Sequence, residues 1–217
     1  MGAERQDFEH RGMVQMAAAR PEKDTITGVI LAGGMARRMG GKDKGLVAFS
    51  GRPLIEWVIE ALRPQVHALL ISANRNREAY AAYGYRVITD DIEGFQGPLA
   101  GLASAMAAAA TPWIVTAPCD GPYLARDLVE RLCSALAREQ AELAVAIDGE
   151  RMQPVYALVP VALAPSLHSF LDSGERKIDR WYARHRLALA DLSDRPKSFA
   201  NINSPADSTL LARELEP

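Results

Sequence analysis

Along the chain, apolar runs of strand length alternate with stretches whose apolar residues recur every three or four positions. Residues 26–32 form the first such run, followed by 66–71, 86–89, 113–116, 143–147, 155–159 and 188–192. Between them, helical period marks 54–62, 78–83, 99–110, 124–138, 161–171 and 175–184. Strands alternating with helices are the pattern of parallel crossover units. The expected fold is therefore a single three-layer α/β/α domain around a mostly parallel, Rossmann-like sheet. Local chemistry agrees with this punctuation. Ser50-Gly51-Arg52 makes a turn after a short extended piece at 46–49, and Pro53 stands where a helix can start, since its missing N–H has no partner there anyway. Pro64 stops that helix, Gly84 stops the next, and Pro118 breaks the strand that leads to Asp120. The alanine-rich stretch 99–110 is helical on propensity and opens with Gly97-Pro98. Asp148-Gly149-Glu150 turns between two strands, and a terminal helix is expected from about Pro205. The rhythm changes after Ile147, dividing the domain at 25–217 into a half of about 25–147 and a half of about 148–217.

Composition narrows the class. A chain of 217 residues suits one domain. The formal net charge of −2 argues against binding nucleic acid by charge. No run approaches the roughly 18 apolar residues that cross a membrane. Two cysteines, Cys119 and Cys133, are too few for a disulfide framework, so a reducing cytoplasm is the expected setting. Residues 1–24 are polar and mixed in charge, and Gln15 breaks their one apolar stretch below the length of a signal peptide core. A disordered tail, an upstream start codon and a short docked helix all fit this stretch. A poorly ordered tail is the expectation, because unanchored termini fray.

The chemistry concentrates where the first strand ends, at Leu31-Ala32-Gly33-Gly34-Met35-Ala36-Arg37-Arg38-Met39-Gly40-Gly41-Lys42-Asp43-Lys44. Gly33 and Gly34 have no side chains to block a ligand, and their N–H groups can point at oxyanions. Arg37, Arg38, Lys42 and Lys44 are close enough to neutralise a triphosphate. A surface turn with scattered charge is the plainer reading, but a strand leading into paired glycines and four cations favours phosphate binding. The pattern is neither a P-loop, since no Gly-Lys-Ser/Thr follows, nor a Gly-x-Gly-x-x-Gly dinucleotide fingerprint. Gly33, Ser72, Asp90 and Asp120 all fall at strand ends, where open α/β sheets bind ligands, and together would ring one crevice.

The loop resembles the Leu-Ala-Gly-Gly…Arg-Met-Gly…Lys signature of nucleotidyltransferases that move a nucleoside monophosphate onto a phosphate acceptor. The match is closest to the molybdenum cofactor guanylyltransferases, through Arg38-Met39-Gly40-Gly41 and Asp43-Lys44-Gly45. Further segments follow in the family's order: Ser72-Ala73-Asn74-Arg75, Asp90-Asp91, Gly97-Pro98-Leu99-Ala100-Gly101, Pro118-Cys119-Asp120-Gly121-Pro122-Tyr123 and Asn201-Ile202-Asn203-Ser204-Pro205. Two positions depart from it: Ser72 stands where the family usually has Asn, and Gly121 where it usually has Thr. The resemblance spans about residues 26–211 and implies a fold like that of the nucleotide-diphospho-sugar transferases.

It also implies a reaction. GMP would pass from GTP to the phosphate of molybdenum-molybdopterin, giving the guanine dinucleotide cofactor and pyrophosphate. Mg²⁺ is the implied cofactor, and Asp120 its ligand. A helix N-cap is the competing role for Asp120. Lys44 and Arg38 would hold the β- and γ-phosphates and share catalysis with Asp120, while Lys42 reads as a solvated charge. GTP contacts would come from Leu31, Ala32, Gly33, Gly34, Lys44, Ser72, Asp90, Gly97, Pro98 and Asp120; for Asp90 the alternatives are that Asp91 is the partner instead, or that both only cap a turn. Asn201, Asn203, Gln153 and Pro154 would meet the acceptor, although an Asx turn before Pro205 could occupy one asparagine. The half at about 25–147 would then take GTP and the half at about 148–217 molybdopterin. Cys119, Trp57 and Trp181 read as packing residues, and His67, His168 and His185 lack metal-ligand spacing. A monomer is expected, free of membrane and nucleic acid. Molybdopterin-loading and molybdoenzyme-maturation proteins are partners the resemblance admits. A cytidylyltransferase on the same cofactor, a sugar-phosphate nucleotidyltransferase and a non-catalytic cofactor carrier are the rival readings.

Overall fold

The computed structural model describes residues 20–32, 43–90 and 97–202. Gly33, Gly34, Arg38, Lys42, Asp91, Asn203, the stretch 1–19 and the helix expected from Pro205 lie outside the described residues. In chain order the main elements are β1 (Ile26–Leu31), β2 (Ala48–Phe49), β3 (Arg52–Pro53), α1 (Leu54–Leu62), β4 (Ala68–Ser72), α2 (Arg77–Ala81), β5 (Arg86–Ile88) and α3 (Pro98–Ala108). They continue with β6 (Trp113–Pro118), α4 (Leu128–Glu139), β7 (Leu143–Ile147), β8 (Met152–Pro160), α5 (Ala164–Asp172), α6 (Ile178–Tyr182) and β9 (Leu187–Asp191).

Among the described residues, seven strands form one sheet in the order β5-β4-β1-β6-β8-β7-β9. In it β8 runs against its neighbours β6 and β7, and the other pairings are parallel. Strand residues alternate between two apolar cores, one per face, as the two-residue period of a pleated strand requires. Ile26, Ile30, Val115 and Ala117 pack on one face with Ile55, Val58 and Leu62 of α1 and Leu128, Leu132 and Leu136 of α4. Val29, Ile114, Leu143 and Val145 pack on the other with Leu99 and Met106 of α3, Phe170 of α5 and Trp181 of α6. This is the three-layer α/β/α arrangement expected from the alternation. Among the described residues no helix is long and apolar enough to cross a membrane.

Two helices show how sequence sets spacing. In α4, Leu128, Val129, Leu132, Cys133 and Leu136 make one buried stripe, and Gln140 ends the helix in the left-handed region at φ 49°. Each leucine so buried contributes about 1.5–3 kcal/mol. In α3 nearly every side is covered, and Ala100, Gly101, Ala103 and Ala105 keep the helix close to the sheet. In β1, Gly28 makes room for side chains of both β4 and α1: a Cβ there would lie 2.8 Å from Leu69 Cδ1 and 3.2 Å from Leu62 Cδ2.

Some boundaries differ from expectation. α4 begins at Leu128 rather than residue 124; Leu124 and Ala125 lie in irregular chain before the turn at 126–127 that leads into it. The helix expected at 161–171 opens as a single 3₁₀ turn over Val161–Leu163. The one expected at 175–184 is confined to α6. The strand expected at 155–159 starts earlier, so Gln153 and Pro154 belong to β8 rather than to a loop.

Candidate active site

The topology marks the site before any side chain does. From β1 the chain runs outward to β4 and β5, then returns to β6 on the other side of β1. The carboxyl ends of β1 and β6 therefore flank the point where the connections diverge, the usual ligand crevice of an open α/β sheet. The strand ends lie in register: Leu31 pairs with Ser72 and Pro118, and Ser72 with Ile88. Leu31, Ala32, Ser72, Asp90 and Asp120 thus share one rim, as their positions in the sequence predict. The backbone closes it, with Ala32 N–H donating to Ser72 O (2.8 Å) and Cys119 N–H to Leu31 O (3.1 Å).

At the centre of the rim, Lys44 Nζ donates to Asp120 Oδ2 at 2.9 Å. Asp120 is 8% exposed, so the pair is a part-buried charge couple beyond the end of β6. The N-cap role for Asp120 is excluded, since α4 follows Asp127, well downstream. Next to Lys44, the buried Asp43 carboxylate accepts from Tyr80 Oη and from Asn76 Nδ2 (3.0 Å). Asn76 sits in the left-handed region at φ 50°, which asparagine tolerates better than most residues. Gly45 leaves room for this contact, because a Cβ there would lie 2.6 Å from Tyr80 Oη. The Asp43-Lys44-Gly45 tripeptide is thereby accounted for: one residue anchors to α2, one pairs with Asp120, one makes space. Burial, then the neighbouring Cys119 and Asp43, push the Tyr80 phenol far above its ordinary range, so it remains a donor. The Cys119 thiol is pushed up by burial and then by Asp120 and Asp43, which fits packing rather than nucleophilic chemistry.

Toward β5, Asp90 and Asn74 bond reciprocally: Asn74 Nδ2 donates to Asp90 Oδ2 (2.8 Å) and Asp90 N–H to Asn74 Oδ1 (2.9 Å). This fixes the carboxylate so that its other oxygen, Oδ1, is buried with no hydrogen-bond partner among the described residues. Leu31, Ser72 and that same oxygen converge on the first turn of α3. A Cβ at Gly101 would lie 3.1 Å from Leu31 Cδ2, 3.1 Å from Ser72 Oγ and 3.6 Å from Asp90 Oδ1. Gly97 precedes the helix at φ 132°, a conformation that only glycine adopts readily, and Pro98 takes the first helical position.

Toward β8, Ile202 N–H donates to Asp120 O (3.0 Å), which lays the Asn201-Ile202 segment against Asp120. Asn201 is so brought beside the charge couple. Gln153 Nε2 donates to Asp148 Oδ2 (2.8 Å), within the β7–β8 turn. The carbonyl of Pro154 is likewise occupied, by the Tyr182 hydroxyl (2.9 Å). Asp43, Asn74, Tyr80 and Tyr156 are site neighbours that the motifs did not single out. Asp43 and Asn74 stood inside quoted motifs, whereas nothing in the sequence marks Tyr80 or Tyr156. No group of three or more His, Cys, Asp or Glu side chains that could hold a metal occurs among the described residues. The carboxylate of Asp120 is the kind of oxygen donor that can hold a divalent cation together with substrate phosphates.

Residues 28–188 match the MobA-like NTP transferase domain. The molybdenum cofactor guanylyltransferase of Shewanella sediminis is 51% identical over 190 residues, 88% of this chain and 97% of that protein. The one from Shewanella sp. strain MR-4 is 52% identical over 88% of this chain and 96% of its own. Among solved structures, molybdopterin-guanine dinucleotide biosynthesis protein A from Archaeoglobus fulgidus superposes with a TM-score of 0.72 at 24% identity, covering 87% of this chain and 97% of that one. The 4-diphosphocytidyl-2C-methyl-D-erythritol synthase of Anaerococcus prevotii reaches 0.69 at 11% identity over 95% and 99%, and both likenesses establish the fold alone. On its sequence matches, the chain is a nucleotidyltransferase that belongs to the MobA-like family, with the molybdenum cofactor guanylyltransferases.

Proposed function

We propose that this enzyme transfers GMP from GTP to the phosphate of molybdenum-molybdopterin, with Mg²⁺, and releases pyrophosphate. The Lys44–Asp120 couple on the switch-point rim carries this reading. It places a cation and a carboxylate side by side in a part-buried crevice. A magnesium-bound triphosphate brings a cation for Asp120 and an anion for Lys44. Mg²⁺ held by Asp120 would neutralise phosphate charge and favour departure of pyrophosphate. Lys44, with Arg38 from the glycine-rich sequence before it, would stabilise charge growing on the leaving group. An oxygen of the pterin phosphate forms a bond to the α-phosphorus. The bond from that phosphorus to the bridging oxygen breaks, and its electron pair leaves with pyrophosphate. No covalent enzyme intermediate is needed, since the acceptor already carries a nucleophile.

Guanine would lie between Leu31, Ser72 and the first turn of α3, near Gly97 and Pro98. Asp90 Oδ1, without a hydrogen-bond partner among the described residues, supports this placement, because guanine offers adjacent N1–H and N2–H donors to such an acceptor. The glycines Gly33 and Gly34 and the backbone of Ala32 would meet the phosphates. Asn201, Asn203, Gln153 and Pro154 are assigned to the acceptor half at about 148–217, and residues 25–147 to the GTP half. Of these, Gln153 has the weakest support, since its amide is engaged by Asp148. The reading calls for GTP and molybdopterin as the small-molecule partners of a monomer. It suits the cytoplasm, as do two free, buried cysteines.

The test is incubation with each NTP in turn, Mg²⁺ and molybdopterin-loaded acceptor. Pyrophosphate release is followed, and the dinucleotide is identified by mass. GMP incorporation at least about tenfold over CMP and AMP is expected, a discrimination of about 1.4 kcal/mol. Equal incorporation, or a preference for CTP, would overturn the guanylyl assignment. Absence of pyrophosphate release with every NTP would make the protein a carrier.

A further inference from the structure

The pairing of β7 with β8 breaks at one place. Val145 faces Ala157, but the next residue, Ala146, faces Gln153. Pro154, Val155 and Tyr156 therefore bulge out of the ladder. Pro154 has no N–H to give it, which makes the break permanent. Two buried hydroxyls take the carbonyls that the bulge frees. Tyr182 donates to Pro154 O at 2.9 Å, and Thr116 of β6 donates to Val155 O at 2.7 Å. Bulges of this kind re-aim side chains beside functional sites.

The side chain re-aimed here is Tyr156. Its ring is 2% exposed and stands edge-on to Phe199 at 5.1 Å. Its hydroxyl reaches Asn201 Oδ1 at 3.5 Å. A Cβ at Gly121 would lie 2.9 Å from that hydroxyl and 3.4 Å from Asn201 Oδ1. The rigid, packed ring leaves the hydroxyl little freedom to withdraw. A side chain at position 121 and the Tyr156 hydroxyl therefore compete for one space, and glycine concedes it. The residue before Gly121 is Asp120, whose carbonyl holds Ile202. The Tyr156 hydroxyl thus stands at the junction of the Asp120-Gly121 turn and the Asn201-Ile202 segment.

We propose that Tyr156 is a positioning residue: through its hydroxyl, in the space that Gly121 leaves, it holds the Asn201 carboxamide at the acceptor side of the Asp120 turn. The proposal rests on the reading that Asn201 meets the acceptor. Burial and the nearby Asp120 carboxylate raise the Tyr156 phenol above its usual range, so it stays neutral and able to donate.

Steady-state kinetics on Tyr156→Phe, Gly121→Ala, the double variant and Asn201→Ala tests this, with thermal melting of each as a check on folding. Tyr156→Phe keeps the ring and its contact with Phe199. It should raise the acceptor KM about three- to tenfold, with kcat and the GTP KM within about twofold of the parent. Gly121→Ala should raise the acceptor KM in the parent and do so markedly less in the Tyr156→Phe background, where the hydroxyl no longer fills the space. Asn201→Ala should raise it by at least as much as Tyr156→Phe. An unchanged acceptor KM in Asn201→Ala would remove the reading on which the proposal stands. A raised KM there, with no change in Tyr156→Phe, would overturn the positioning role alone. So would a Gly121→Ala effect of equal size in both backgrounds, or a Tyr156→Phe loss confined to kcat or to melting temperature.

Discussion

Removing one oxygen atom from Tyr80 should weaken both the fold and catalysis. Tyr80→Phe keeps the fully buried ring in place and deletes only the hydroxyl that donates to Asp43. No cavity of consequence forms, so no large packing term enters. What is lost is a hydrogen bond to a carboxylate that is 9% exposed and has one other side-chain donor among the described residues, Asn76 Nδ2. Hydrogen bonds to charged groups contribute about 1.5–3 kcal/mol, and leaving a buried acceptor short of a partner costs a similar amount. We therefore expect a loss of about 1.5–3 kcal/mol, not the sum, since both figures describe the same event. For a chain of this size that lowers the melting temperature by about 3–12 °C. Urea denaturation should show a reduced midpoint with an unchanged slope, the mark of a stability change without a change in surface exposed. Asp43→Asn should cost less in the Tyr80→Phe background than in the parent, because it removes the charge that the hydroxyl solvates. Turnover should also fall, as Asp43 adjoins Lys44. A loss under about 0.5 kcal/mol, or additive effects of the two substitutions, would refute the claim that Tyr80 solvates a buried charge.

Three further outcomes follow from other parts of the structure. Lys44→Ala should reduce turnover far more than Lys42→Ala in the pyrophosphate-release assay; equal losses would mean that the loop acts as a diffuse positive patch. Gly28→Ala should destabilise by about 1–3 kcal/mol in urea, since its methyl would press on Leu69 and Leu62; a neutral result would show that these two side chains can give way without cost. Burial lowers the pKa of His185, so the unfolded chain binds the proton more readily and this stabilisation is present above about pH 6.5 and lost as pH falls. His185→Gln should flatten the decline in melting temperature between about pH 7 and 5, and an unchanged slope would assign that decline to other groups.

The alternation of elements was legible because each strand is apolar and each helix carries its own stripe or alanine content. The direction of β8 was less so. A strand that follows a tight Asp148-Gly149-Glu150 turn must be antiparallel to β7, but nothing local says that it inserts between β7 and β6. That insertion depends on both faces of β8 finding partners, a property of the assembled sheet. The strand-end residues Ser72, Asp90 and Asp120 were legible because they follow apolar runs. Asp43 and Tyr80 were not paired in advance, since their contact spans two elements and neither residue type announces a partner. The amide of Gln153 turns to Asp148, a local competitor that spacing alone does not reveal. The bulge at Pro154 left one trace in the sequence, a proline inside an otherwise strand-like run.

The interior position of β1 has a consequence for how the chain is made. Among the described residues it is the first strand of the sheet in sequence, and its two neighbours come later: 41 residues separate the paired Thr27 and Ala68, and 87 separate Ile26 and Trp113. At roughly 5–20 residues per second, a ribosome takes about 4–17 s to supply the second neighbour. Helices and hairpins form within microseconds, so an almost wholly apolar strand waits with one edge unpaired for a time that is very long on the scale of collapse. Exposed edges of this kind recruit other chains. Gly28 sits in the middle of that edge, and glycine weakens β pairing wherever packing does not yet enforce it. The residue that lets α1 close on the finished sheet therefore also makes the nascent strand a poorer template while it waits.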